Sequence, residues 1–267
     1  MKVDFIQQGN CLDVMRGWQD GCVDMTLTSP PYDGLRTYNG YSFPFEEIAK
    51  ELYRITKDGG VVVWVVSDAT VNGSETGTSF RQALFFVECG FNLHDTMIFQ
   101  KANPVPQIYR KRYTNEFEYM FVFSKGLVAT HNAIRIQCLH AGLELKNTTY
   151  KNYSKGVQTR TKLAKPVKAT KIKGNVWSYV VGKKAVDQEA KGHPAPFPYQ
   201  MAMDHIMSWT NPGDIVFDPM CGSGTSCVAA SDAQRHFIGV DISDEYCELA
   251  RRRLIKHLAD KNRDGQG

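Results

Sequence analysis

Two short stretches carry residue types that could do chemistry together. The first is Thr28-Ser29-Pro30-Pro31-Tyr32, which follows Val23 to Thr28, a run with the alternation and β-branching of a buried strand. Two consecutive prolines must end that strand, because neither donates to a ladder and both fix φ. The result is an elbow at a strand's carboxyl end, where open α/β sheets place their ligands. It offers the Ser29 hydroxyl, the carbonyls around Pro30 and Pro31, and the Tyr32 ring. Such oxygens accept from an amine and a phenol stacks on a flat heterocycle, so the set suits a planar ring bearing an exocyclic amino group. Taken alone, the same residues also read as a strand running into a loop.

The second stretch runs from Asp214 through Phe217-Asp218-Pro219-Met220-Cys221-Gly222-Ser223-Gly224-Thr225. It reads as a strand, a glycine turn and a helix through Ala230. Gly222 and Gly224 let backbone approach a ligand, and the helix N-terminus behind them favours a negative group such as a carboxylate. About twenty residues on, Phe237-Ile238-Gly239-Val240-Asp241 is a second strand ending in an acid, which could accept both ribose hydroxyls of an adenosine-type cofactor. The turn lacks the third glycine of the dinucleotide fingerprint. Asp241 could instead cap the helix that Ser243 to Leu258 should form.

The elements that must position these stretches alternate between strand and helix. Val3 to Ile6 and Val61 to Val66 read as strands, the latter a continuous apolar run covered on both faces. Phe45 to Lys57, ended by Asp58-Gly59-Gly60, and Ser79 to Cys89 read as amphipathic helices. Phe91 to Lys101 and Phe117 to Ser124 are further strands, and Gln200 to Trp209 is a helix entered through three prolines. Asn10 and Asp13 sit at a turn into a brief helix, where capping and ligand binding both suit them. Tyr32 to Tyr41 is a Gly-, Tyr- and Asn-rich loop beside the elbow. This alternation gives an α/β fold with a mostly parallel sheet.

A chain of 267 residues can hold one large core, or a core and a sizeable insertion. Its apolar runs are too short to span a membrane and its start lacks a secretory leader's apolar stretch, so a cytoplasmic protein is expected. Seven scattered cysteines suggest neither a disulfide framework nor a zinc site, and no metal is expected. The net charge is +4, but residues 131–190 hold twelve Lys or Arg against three Asp or Glu. Periodicity fades there, and cations alternate with tyrosines and small polar residues. The block reads either as a solvated linker or as a nucleic-acid-facing insertion, with Lys162, Lys165, Lys168, Lys171 and Lys173 meeting phosphates. The exposed connection bearing Arg110, Lys111 and Arg112 has the same character.

Together, the Ser-Pro-Pro-Tyr element and the Asp-Pro-Met-Cys-Gly-Ser-Gly-Thr turn resemble the amino-directed DNA methyltransferases that use S-adenosylmethionine. Their order, elbow first, then the basic block, then the glycines, resembles the family's permuted β group. His193-Pro194-Ala195-Pro196-Phe197-Pro198 also matches. The resemblance implies a Rossmann-like methyltransferase fold, circularly permuted, with a seven-stranded sheet and one antiparallel strand, for which Phe117 to Ser124 is the candidate. It divides the chain into a catalytic half (1–125), a basic target-recognition insertion (126–190) and a cofactor half (191–267).

By the same resemblance, Phe217, Asp218, Gly222, Ser223, Gly224 and Thr225 would cradle the methionine end of S-adenosylmethionine and Asp241 its ribose. Asn10 and Cys11 would meet the adenine, with Asn10 standing where the family often has Asp, and Ala195 and Phe197 would close the pocket. Ser29, Pro30, Pro31 and Tyr32 would hold a base flipped out of double-stranded DNA. Ring-carbon methylation needs a cysteine nucleophile, usually after a proline, and the chain has no Pro-Cys dipeptide. Serine at the head of the elbow favours cytosine N4, with adenine N6 the alternative. An RNA methyltransferase and a non-catalytic nucleic-acid-binding module are further readings. A cognate restriction endonuclease and a homodimer both stay open.

Overall fold

The computed structural model describes residues 1–31, 43–106, 111–143, 149–151, 160–162, 166–182 and 198–264. It comprises two units, one of Met1–Asn132 with Asn175–Gly267 and one of Ala133–Gly174. In the first, β1 (Phe5–Gln8), α1 (Cys11–Arg16), β2 (Val23–Thr28), α2 (Phe45–Ile55) and β3 (Thr56–Val66) come in turn. A small hairpin, β4 (Thr70–Val71) and β5 (Ser74–Glu75), precedes α3 (Thr78–Glu88), β6 (Asn92–Lys101) and β7 (Phe117–Ser124).

The second unit holds two antiparallel pairs, β8 (Arg135–Gln137) with β11 (Thr170–Ile172) and β9 (Thr149–Lys151) with β10 (Arg160–Lys162). The chain then re-enters the first unit as β12 (Val176–Tyr179), α4 (Tyr199–Trp209), β13 (Ile215–Asp218), α5 (Thr225–Asp232), β14 (His236–Asp241) and α6 (Asp244–Asp264). No described helix is long and apolar enough to cross a membrane.

The main sheet has the order β1-β14-β13-β2-β3-β7-β6-β12. Its pairings are parallel except those of β7, which runs antiparallel to both β3 and β6. Phe117 to Ser124 is therefore the antiparallel strand, as expected. The strand count is a correction: the sheet has eight strands among the described residues, where seven were expected. The eighth is β12, with Val176 to Tyr179 paired in parallel to Ile98 to Lys101. Its Trp177 and Tyr179 face inward while Val176 and Ser178 face out, a period-2 pattern that four residues are too few to announce.

The second departure lies before β3. Helix α2 stops at Ile55, and the residues expected to end it are already strand, with an irregularity where Val23 pairs with Thr56 but Met25 with Val61. A bulge there takes up the extra residues.

Helices α1, α2 and α3 cover one face, where Leu12, Ile48, Leu52 and Phe86 pack on Trp64 and Phe123 of the sheet. Burying each such side chain stabilises the fold by about 1.5–3 kcal/mol. On the other face α4 lies against the sheet through His205, whose Nε2 is 3.1 Å from Met120 Sδ, and α4 packs beside α5.

Candidate active site

Four neighbouring strands, β1, β14, β13 and β2, run parallel and end at one edge. Val216 pairs with Met25 and Phe217 with Thr26, so the chain leaves β13 at Asp218 and β2 at Thr28 side by side. The glycine turn and the Ser29-Pro30-Pro31 elbow therefore start next to each other. After β13 the chain returns through α5 to β14 on one side, and after β2 through α2 to β3 on the other. This divergence opens a crevice at the carboxyl ends, the usual ligand position in such sheets.

The glycine turn is built from several directions. Gly222 and Gly224 have φ of 49° and 75°, a region that side chains rarely adopt. A Cβ at Gly224 would also stand 2.9 Å from that of Ala250 in α6. The Cys221 N–H donates to the Val240 carbonyl at 2.8 Å, curling the turn over the end of β14. The Gly222 N–H donates to Asp241 Oδ2 at 2.8 Å, and Asp241 Oδ1 accepts from the Ser243 N–H at 2.9 Å. Asp241 thus ties the turn to the start of α6. Burial raises its carboxyl above the ordinary range, against the pull of these N–H groups.

From beneath, the buried Arg253 of α6 donates to the Ser223 carbonyl at 3.0 Å and to Thr225 Oγ1 at 2.9 Å. Gly239, mid-strand in β14, is where the thiols of Cys221 and Cys227 come down on the sheet: a Cβ there would lie 2.8 Å from Cys227 Sγ and 3.1 Å from Cys221 Sγ. No side chain caps α5 at Gly224, which leaves its first turn open to a ligand's negative group.

Asp218 is fully buried, with Ser226 Oγ donating to Oδ2 and the Met220 N–H to Oδ1 at 3.1 Å. Burial pushes its carboxyl up to about 6 from an ordinary 3.8, with the Ser226 and Met220 hydrogen bonds opposing. Between those values the folded protein keeps a proton that the unfolded chain loses, so this group's contribution to stability falls as pH rises from about 4 to 6. An Asp218→Asn variant should gain on the wild type by up to ~3 kcal/mol across that window and run parallel to it above. Thermal or urea unfolding at pH 4 to 7.5 checks this, and parallel curves throughout would contradict it.

The remaining expected residues are placed as follows. Asn10 caps α1, its Oδ1 accepting from the Leu12 N–H at 2.9 Å, and lies just after the point where the Gly9 N–H meets the Asp241 carbonyl. Cys11 is buried behind it, which pushes its thiol up to about 11. Cys247 is likewise at about 11 and Cys221 is raised, so none of the three is a thiolate at neutral pH. Phe217 is wholly in the core, edge-on to Trp18 at 4.8 Å, and serves the site by fixing the strand end. Ser29 and Pro31 are half-buried and Pro30 is buried.

Tyr32, Ala195, Phe197, Arg110 and Lys165 lie outside the described residues, as does the Lys162 side chain. Lys168 and Lys171 are exposed in the second unit and Lys173 is half-buried there. Lys111 is exposed, whereas Arg112 pairs with Glu75 at 3.2 Å and donates to the Gly73 carbonyl. Sequence reading missed Arg253, one of three consecutive arginines, and the β4–β5 hairpin.

The chain belongs to the DNA methylase family of amino-directed N6/N4 enzymes, whose model matches residues 23–252. It is 49% identical over 254 residues to the orphan methyltransferase M.BamHII of Bacillus amyloliquefaciens, covering 93% of this chain and 95% of that protein. Among solved structures, the cytosine-N4-specific PvuII DNA methyltransferase shares the fold with a TM-score of 0.70 at 18% identity, over 94% of this chain and 86% of that one. The complex of M1.HpyAVI with S-adenosylmethionine matches with a TM-score of 0.60 at 21% identity, over 94% and 98%.

Proposed function

We propose that this chain transfers a methyl group from S-adenosylmethionine to the exocyclic N4 of a cytosine extruded from double-stranded DNA. The observation that carries the reading is the parallel register of β2 and β13, which starts the elbow and the glycine turn side by side. The donor set suits the cofactor. The open first turn of α5 would take its carboxylate, Asp241 would accept from the ribose, and Asn10 and Cys11 at the end of β1 would border the adenine. When bound, it would supply a sulfonium methyl: the S–CH3 bond breaks as the N–CH3 bond forms, the sulfur leaves as a neutral thioether, and the surplus proton of the methylated amine passes to solvent.

The protein's part is to prepare the nucleophile. An exocyclic amine is weak because its lone pair is delocalised into the ring. With the Ser29 hydroxyl and Pro30 carbonyl accepting its hydrogens, the nitrogen moves toward tetrahedral geometry and its lone pair localises. These bonds strengthen as positive charge develops in the transition state, which is where they accelerate the reaction. A base within a duplex cannot enter the crevice, so it must be flipped out, stacking on Tyr32. Unstacking costs a few kcal/mol and aromatic stacking returns about 1–3, so no motor is needed.

Serine rather than aspartate at the head of the elbow supports cytosine over adenine. The basic second unit, with Lys168 and Lys171 exposed, supports a role in holding the duplex and reading the target. The test is to incubate the purified protein with labelled cofactor and duplex DNA and to digest the product to nucleosides. N4-methylcytosine is expected; N6-methyladenine would move the substrate to the alternative base, and 5-methylcytosine would overturn the mechanism.

A further inference from the structure

Strand β3 lies beside β2, with Thr28 paired to Trp64, so Ser29 emerges level with Val65. The chain of β3 continues past this edge and within four residues of Val66 becomes the β4–β5 hairpin. Its turn, Asn72-Gly73, has φ of 50° and 82°, the left-handed pair that a tight two-residue hairpin needs. A hairpin of two-residue strands has no core and does not hold itself together.

This one is clamped at its base. Asp68 accepts from the Ser79 N–H at 3.0 Å, from Thr76 Oγ1 at 3.2 Å and from the Ser79 hydroxyl, while the Thr76 N–H donates to the Ala69 carbonyl at 2.9 Å. All six residues from Thr70 to Glu75 are nevertheless exposed, Val71 among them at 54%.

Arg112 braces the other side. Its guanidinium spans Glu75 and the Gly73 carbonyl, so it acts as a strut that ties the backbone between Lys111 and Tyr113 to the hairpin. The Tyr113 ring is completely exposed. An aliphatic tip, an amide, a bare phenol and a lysine thus stand exposed around a clamped hairpin that continues from the strand next to the elbow, with no packing role in the core.

We propose that the β4–β5 hairpin is a DNA-contacting wedge, whose Val71-Asn72 tip enters the duplex where the target base leaves while Lys111 and Tyr113 hold the adjacent backbone. Val71 fills the vacated stack, as apolar side chains do at kinked steps, and the Asn72 amide has both a donor and an acceptor for the widowed partner base. This rests on the base-extrusion reading above.

The experiment compares the wild type with a Val71→Ala/Asn72→Gly variant, which keeps the turn geometry. The substrates are a matched duplex and the same duplex with its target base mispaired, which is easier to extrude. On matched DNA kcat/KM is expected to fall by about tenfold or more, corresponding to loss of part of the few kcal/mol that unstacking requires, with near wild-type rates on the mispaired duplex. S-adenosylhomocysteine affinity, measured by calorimetry, should not move. Equal rates for the two proteins on matched DNA, or equal losses on both substrates, would overturn the wedge.

The salt dependence of DNA binding tests the strut. Lys111→Ala should reduce the slope of log affinity against log salt by about one, and Arg112→Ala should leave it unchanged. A slope lowered by Arg112→Ala would make that residue a phosphate contact and overturn its assignment. If the wild type methylates neither duplex, the underlying reading fails; an active wild type matched by its variant removes only the hairpin's role.

Discussion

Ser29→Ala is expected to slow methyl transfer by ~10²-fold or more, the usual loss when one preorganised hydrogen-bonding group at a reacting centre is removed. Cofactor affinity should change by less than about twofold, because Ser29 follows β2 while the glycine turn follows β13 and Asp241 ends β14. The contrast is diagnostic. A hydroxyl that accepts more strongly from the amine in the transition state than in the bound substrate lowers kcat when lost, whereas uniform binding would appear in KM. Single-turnover methylation under saturating cofactor gives the first quantity and calorimetry with S-adenosylhomocysteine the second. Equal losses in both would move Ser29 into the cofactor site. The elbow itself should survive the change, since its two prolines fix φ whatever precedes them.

Much of this arrangement is legible in the residue order, and what is not has physical reasons. Phe117 to Ser124 announces its strand because eight consecutive residues alternate large apolar and smaller side chains, and the matching bounds follow. The glycine turn and Asp241 are legible because glycine is the residue such backbone favours and one short helix and one short strand separate the two. Strand β12 is hidden by its four-residue length, and its partner lies far earlier in the chain.

The β4–β5 hairpin is a different failure. Asn72-Gly73 is a strong hairpin signal, but two-residue strands give no alternation around it, and the Asp68 clamp exists only in three dimensions. Arg253 sits in the run Arg251-Arg252-Arg253, and helical periodicity alone does not say which of the three turns inward. The fold places that one beneath the glycine turn at 2% exposure. Side chains that act by supporting other groups have no local pattern, so they are found by contact and not by motif.

Asp241→Ala should weaken cofactor binding by ~10²-fold or more, through two separable losses. One is the set of hydrogen bonds to the ribose, charge-assisted and worth roughly 1.5–3 kcal/mol each. The other is the tie between the Gly222 N–H and the start of α6, whose removal lets the glycine turn relax. A cycle with a cofactor analogue lacking both ribose hydroxyls separates them. The wild type should prefer the natural cofactor to the analogue, and the Asp241→Ala variant should bind the two almost equally, leaving only the weaker loss from the relaxed turn. If the variant keeps the wild type's full preference, the carboxylate is a cap for the turn and the ribose is held elsewhere. Arg253→Met gives the complementary control. It removes the donors to the Ser223 carbonyl and Thr225 Oγ1 without touching Asp241, so it should weaken both ligands equally and leave the ribose preference intact. These two outcomes together would assign ribose recognition to the end of β14 and turn geometry to α6.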